Sequence, residues 1–396
     1  MKIMIISDQY PPFQFGGMAQ HTFHISRQLA DLNNQILLLL PKHFQINTYS
    51  LNLEIRSVLH SSYYVSSLRA GLCKKEFRPD LIHIVTAGMF YPSLSGYCPV
   101  IQRVVGNDFL RPWKGRGFLF RGIVRFIPRI KPFISSVDSK IRKETVLREL
   151  EKADLILSNS DWTTSKLIEK GIDKIKIKSF VGGVDTTIFS PNNDFSGLKE
   201  KHGLNEESMV LITAGNLIQK KGFDTVLKAL PAIISKHPNL LYFIVGDGPE
   251  KAALEQMVDK LRMNSNVCFL GALSQEKFAK YLSMSTVYVQ VSRNHQMQDS
   301  NVDVETMGRT FFEAGSCSIP VIASNIGGIP SVVQHDINGL LLDDPENNED
   351  LSEKINLLLS DKNKRGKMGK NGREIAIKRF SWDILADLFL TEAIRL

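Results

Sequence analysis

Residues 303–324 read DVETMGRTFFEAGSCSIPVIAS, with two carboxylates, Glu305 and Glu313, eight positions apart and Gly308 between them. In one unbroken helix the second acid would be turned about 80° from the first, at 3.6 residues per turn. Gly308 favours a break instead. That places Glu305 on a loop and Glu313 in the first turn of a helix. The small-residue segment Ala314–Ser318 follows, and IPVIAS then reads as a buried strand. Two acids beside a helix start converge on one ligand, and the free backbone N–H groups of that start favour phosphate. A sugar nucleotide suits this pattern better than a metal ion or a peptide.

Outward from this stretch, short apolar runs alternate with amphipathic segments, the pattern of parallel sheets wrapped by helices. In the first half the expected strands are Ile3–Ser7, Ile36–Leu40, Leu81–Val85, Val100–Val105, Leu155–Ser158 and Ile175–Phe180. In the second half they are Val210–Ala214, Leu241–Val245, Val267–Leu270, Val287–Val291, Val321–Ser324 and Leu340–Leu342. Between the halves, residues 181–208 are rich in Gly, Pro, Asn and Ser, which marks a domain boundary. A chain of 396 residues is long enough for two cores. The expected division is 1–190, 191–378, and a terminal segment 379–396. The apolar content of FSWDILADLFL docks that segment as a last helix.

The hydrophobic share of 43% and charged share of 23% are those of a globular protein. A net charge of +8 suits an anionic substrate, an acidic membrane surface or nucleic acid. No nucleic-acid module accompanies it. Much of the charge lies in 111–131, where Arg111, Lys114, Arg116, Arg121, Arg125, Arg129 and Lys131 interleave with Phe and Ile. Such a segment can rest on anionic lipid, grip an acidic acceptor, or simply be a solvated basic face. Gly122 and Pro128 argue against one straight helix there. Cys73, Cys98, Cys268 and Cys317 are widely spaced and read as reduced structural thiols. The opening MKIMIISD is too short for a signal peptide, and the longest apolar run, Ile36–Leu40, is too short for a membrane span. The expected location is cytoplasmic, with peripheral contact at the inner face of the membrane.

Two further turns carry chemistry. After the first strand, Gly16-Gly17 precedes a helix bearing His21, His24, Ile25, Leu29 and Leu32, a strand–turn–helix that can bring backbone close to phosphate. In the second half, Ala214-Gly215 ends a strand, and Lys220-Lys221-Gly222 precede a helix with Phe223, Val226, Leu227 and Leu230. A lysine in that place serves as a point charge on a diphosphate. A later strand closes in Gly246-Asp247-Gly248-Pro249, a sharp turn into another helix.

This ordered set resembles the retaining glycosyltransferases of family 4. Their paired-glutamate motif is met by Glu305, Gly308, Glu313, Ala314, Pro320 and Val321-Ile322-Ala323-Ser324. Their P-P-x-x-G-G-x-x-x-H is closely met by Pro11-Pro12, Gly16-Gly17 and His21. Asn159-Ser160 and Gly183-Val184-Asp185 match the inter-domain segment, while Gly215, Leu217 and Lys221-Gly222 match G-R-L-x-x-x-K-G. The resemblance implies an α/β, GT-B fold: two facing Rossmann-like domains with parallel sheets and a cleft between them. It implies a nucleotide-diphosphate sugar, UDP- or GDP-linked, as donor substrate, with no cofactor and no metal. It implies a glycan or lipid-linked acceptor, in cell-surface polysaccharide or glycolipid synthesis.

The resemblance also assigns residues. Glu305, Lys221 and Asp108 are the catalytic candidates. Gly17, Asn216, Lys221, Glu305, Gly308, Arg309, Thr310 and Glu313 are the donor-binding ones, with Glu313 on the ribose, Glu305 on the moving sugar and Lys221 on the diphosphate. His21 and Asp108 are the acceptor-side ones, joined by Arg121 and Arg125 from the basic segment that can grip an acidic acceptor. The chain departs from the family pattern at Asn216, where the family has arginine, and at Val105, where it often has histidine. Arg293 or Arg309 is expected to supply the missing cation. Two other classes stay open: an inactive scaffold of the same fold, and a sugar-nucleotide epimerase.

Overall fold

The structure, a computed structural model, describes all residues except 14–15, 61–62, 88, 90–93, 95, 97, 111–143 and 297–301. It divides into two compact units, Met1–Gly182 with Trp382–Leu396, and Gly183–Ser381.

The first unit is built on eight strands: β1 (Lys2–Ile6), β2 (Gln35–Pro41), β3 (Asn47–Tyr49), β4 (Leu53–Leu59), β5 (Leu81–Ile84), β6 (Val100–Val104), β7 (Leu155–Ser158) and β8 (Ile177–Ser179). Their spatial order is β3-β4-β2-β1-β5-β6-β7-β8, and only the β3–β4 pair is antiparallel. Helices cover both faces, which is why Ile3–Ile6 and Leu37–Leu40 are continuous apolar runs with no exposed side. On one face, Ile25 and Leu29 of the helix Gly17–Asp31 join Trp382, Leu385 and Phe389 of the terminal helix Trp382–Ile394. Each such buried side chain contributes roughly 1.5–3 kcal/mol. That burial fixes the last helix to this unit.

The second unit contains β9 (Met209–Ala214), β10 (Leu240–Val245), β11 (Val267–Gly271), β12 (Val287–Gln290), β13 (His295–Gln296), β14 (Val302–Asp303), β15 (Val321–Ser324) and β16 (Gly339–Leu342). Six of them form a parallel sheet in the order β11-β10-β9-β12-β15-β16, and β13 pairs with β14 in a separate two-strand ladder. Taken in its own chain order, this sheet runs 3-2-1-4-5-6, so the winding reverses between β9 and β12. Ligands of open parallel sheets bind outside the strand ends at that reversal.

All the expected strands are present, each within two residues of its expected bounds. Four were not foreseen. In β4, LEIRSVL, Leu53, Ile55 and Leu59 are buried while Glu54, Arg56, Ser57 and Val58 are half-buried, a broken pattern that reads as polar loop. β3, β13 and β14 are too short to show a period. Leu32, expected on the apolar face of the first helix, lies past its end and is exposed. The unit boundary falls at 182 and not 190, because residues 183–189 are held by the second unit: Val184 N–H donates to Phe380 O at 2.8 Å, and Arg373 donates to Phe189 O at 2.8 Å. Likewise the terminal segment joins the first unit at Trp382, three residues after the expected 379. The four cysteines are free thiols. Among the described residues, no helix is long and apolar enough to cross a membrane. Segment 111–131, with Arg121 and Arg125, lies outside the described residues.

Candidate active site

At the reversal point of the second unit, three pieces of chain meet. The first is the turn after β9. Leu217 N–H donates to Asp247 O at 2.9 Å and Leu217 O accepts from Glu250 N–H at 3.0 Å, so the turns after β9 and β10 are zipped together. Beyond them the 3-10 turn Gln219–Lys221 carries two consecutive lysines. Asn216 is exposed.

The second piece is Asp303–Glu305, which runs out of β14. Lys221 Nζ lies 2.5 Å from Glu305 Oε2, and Lys220 Nζ lies 3.1 Å from Asp303 Oδ1. The Glu305 carbonyl accepts from Gly328 N–H at 2.9 Å, which anchors this segment to the turn after β15. Burial pushes the Glu305 carboxyl up, but Lys221 and then Lys220 outweigh it, so the group is held below its ordinary range. It is a carboxylate at neutral pH.

The third piece is the helix Arg309–Ser316. Gly308 precedes it with φ +87°, and a Cβ there would run into the Phe311 ring, so the left-handed start requires glycine. The helix therefore opens at Arg309. Glu313 is its fifth residue, in the second turn and not the first as expected. Glu313 is 3% exposed, and its Oε1 accepts from Arg309 Nε at 2.8 Å. Thr310, in the first turn, hydrogen-bonds through its hydroxyl with Tyr288 OH at 2.7 Å. The same phenol reaches Gln290 Oε1 at 2.8 Å and Ala214 O at 3.2 Å. Tyr288 thus ties β9 and β12 to the helix start, a role invisible in the apolar-looking VYVQ.

Glu305, Lys221, Gly308, Arg309, Thr310 and Glu313 are accordingly assembled at one place. Arg293 is occupied elsewhere: it donates to Asp224 at 2.8 Å and to Gln219 O at 3.0 Å, with Glu346 at 3.4 Å. The expected substitution by Arg293 does not match this placement, because Asp224 already neutralises it.

In the first unit the winding reverses between β1 and β5, where Asp8 accepts from the Thr86 hydroxyl at 2.7 Å. Asp8 is the residue that closes the opening run MKIMIISD. Gly17 opens its helix with open space around the missing Cβ. His21, by contrast, has no exposed surface. Its Nε2 is 3.5 Å from His83 Nε2, and it packs against Phe180 and Trp382. Burial, with Arg103, His83 and His24 nearby, pushes His21 well below its ordinary pKa, and burial takes His83 to about 3. These are neutral core rings, a placement that does not suit the acceptor contact expected of His21.

Asp108 is half-buried and accepts from Ala87 and Val105 N–H, each at 3.1 Å, stitching the turns after β5 and β6. Burial raises its pKa to about 6 against the lowering effect of those bonds and of Arg103. With the folded pKa above the unfolded one, stability is full below pH about 4 and is lost as pH rises through about 6. That loss amounts to at most about 3 kcal/mol. Asp108→Asn should lower the urea midpoint, relative to the parent protein, more at pH 4 than at pH 7. An equal shift at the two pH values would contradict the assignment.

The family model described as Glycosyl transferases group 1 matches residues 194–375, and that described as Glycosyltransferase Family 4 matches 15–188. A GDP-mannose-dependent alpha-(1-6)-phosphatidylinositol monomannoside mannosyltransferase of Mycobacterium tuberculosis is 29% identical over 244 residues, 61% of this chain. The match spans 62% of that relative's own length. Spore coat protein SA of Bacillus subtilis is 26% identical over 379 residues, covering 89% of this chain and 90% of its own. Among solved structures, Anabaena Alr3699/HepE in complex with UDP superposes with a TM-score of 0.76 at 20% identity, over 100% of both chains. Both units thus carry the marks of one lineage, and the chain belongs to the group 1, family 4 type of glycosyltransferases with the GT-B fold.

Proposed function

We propose that this protein is a retaining glycosyltransferase that moves a hexose from UDP- or GDP-sugar to a glycan or lipid-linked acceptor, without a resident metal. The observation that carries the proposal is the Lys221–Glu305 pair beside Arg309–Glu313 at the sheet reversal. In this assignment Glu313 accepts hydrogen bonds from the ribose hydroxyls. Lys221 and the free N–H groups at the start of the helix Arg309–Ser316 receive the diphosphate, where fixed charge stabilises the leaving group. Glu305 holds hydroxyls of the moving sugar. The acceptor hydroxyl attacks from the face the diphosphate leaves, and a leaving phosphate oxygen takes its proton, so the anomeric configuration is kept. The choice of UDP or GDP is supported by the GDP-mannose named for the mycobacterial relative and the UDP bound by HepE. The glycolipid acceptor is supported by the phosphatidylinositol monomannoside named for that same relative. Work at the inner membrane face, through the basic segment 111–131, follows from that acceptor class.

Incubation with radiolabelled UDP-glucose, UDP-N-acetylglucosamine and GDP-mannose, with lipid-linked and free glycan acceptors, should give a product with the donor's anomeric configuration. The absence of both transfer and donor hydrolysis with all of these donors would contradict the proposal.

A further inference from the structure

Resting on that donor-site assignment, we propose that Lys220 is a second cation for the donor diphosphate and that Asp303 competes with the diphosphate for it. Lys220 and Lys221 leave the same 3-10 turn, and each meets an acid of the same short segment. The two pairs are similarly shielded: the Lys220 and Asp303 side chains are 13% and 23% exposed, the Lys221 and Glu305 side chains 18% and 12%. Lys220 also lies within electrostatic reach of Glu305, whose acidity it strengthens second only to Lys221 among the neighbouring charges.

The neighbouring cations are otherwise engaged. Arg293 is held by Asp224 and the Gln219 carbonyl, and Arg309 by Glu313. Asn216 carries no charge. A diphosphate brings at least two negative charges into this partly buried place, and Lys221 alone would leave one uncompensated. Lys220, Lys221 and Arg309 face Asp303, Glu305 and Glu313, so positive and negative charges already match. An entering diphosphate must therefore displace carboxylates from ammonium groups. Asp303 is the one most readily displaced, because it sits on the two-residue strand β14, outside the main sheet. Its release transfers Lys220 to the phosphate, as the release of Glu305 transfers Lys221 and frees Glu305 for the sugar.

This exchange predicts opposite signs for the two partners of one ion pair. Lys220→Met should weaken UDP or GDP binding by about tenfold or more, the loss expected for one charge-assisted contact. Asp303→Asn should strengthen it severalfold by removing the competitor. UMP and GMP should respond less to both changes. Calorimetric titration of the four nucleotides into the full chain and both variants tests this, with Lys220→Gln in reserve should Lys220→Met not fold. Weakening in both variants, or no change in the Lys220 variant, would show the pair to be only a structural brace and would overturn the proposal while leaving the donor site intact. Failure of the parent protein to bind any of the nucleotides would overturn the donor-site assignment and this proposal with it.

Discussion

Glu313→Ala is expected to weaken UDP or GDP binding by at least about a hundredfold while leaving the fold in place. The Glu313 side chain is only 4% exposed and is held by Arg309 Nε at 2.8 Å. Its carboxylate is thus pre-positioned, and little ordering is needed when a ribose arrives. Hydrogen bonds to a charged partner contribute about 1.5–3 kcal/mol each, so two ribose hydroxyls account for roughly 3–6 kcal/mol. Each 1.4 kcal/mol is about tenfold in affinity, and the hundredfold figure is the lower end of that range. Removing the acid does not bury an unpaired charge, because the Arg309 side chain is 21% exposed and can turn to water. Calorimetry gives the affinity and thermal unfolding the stability. Glu313→Gln, which keeps one acceptor oxygen, should retain part of the binding. Unchanged affinity in Glu313→Ala would remove the ribose role.

Gly246→Ala should act through the fold and cost about 3 kcal/mol or more, in the class of steric and special-φ effects. Gly246 has φ +126°. A Cβ there would overlap the Gly215 carbonyl oxygen, and backbone cannot swing aside as a flexible side chain does. Both glycines are pinned, with Gly246 N–H donating to Gly271 O at 2.8 Å and Gly215 N–H to Val245 O at 3.0 Å. Relief would have to pry β9 from β10 at the point where the lysine-bearing turn begins. Donor binding should therefore fall together with stability. Gly366→Ala provides the control: it lies inside the helix Lys362–Ile375 with open space around it, so alanine should stabilise by about 0.5–1 kcal/mol. A Gly246→Ala protein as stable as the parent in urea would contradict the close approach.

The central strands were legible because they are buried on both faces and so spell out uninterrupted apolar runs, as in Ile3–Ile6 and Ile36–Leu40. β4 was not, because only one of its faces is buried and Glu54, Arg56 and Ser57 interrupt the run. Glu305, Lys221 and Glu313 could be picked out by spacing and resemblance, but their pairing could not. Lys221 and Glu305 are 84 positions apart, and only the winding of the sheet makes them neighbours. The same holds for Arg293, which sequence offered as a free cation and the fold gives to Asp224, 69 positions away. Tyr288 was hidden for a different reason: its ring belongs to the strand pattern while its hydroxyl serves the neighbouring helix. His21, expected on the acceptor side, is completely buried among Phe180, Trp382 and His83, a packing that the residue type alone does not reveal.

The most direct test of the donor site is calorimetric titration of UDP and GDP into the full chain, repeated with Lys221→Met. Saturable binding of at least one nucleoside diphosphate is predicted, weakened by about tenfold or more in Lys221→Met, as expected for loss of a charge-assisted phosphate contact. No binding of either nucleotide, or binding indifferent to the loss of Lys221, would contradict a diphosphate held at the reversal of the second sheet.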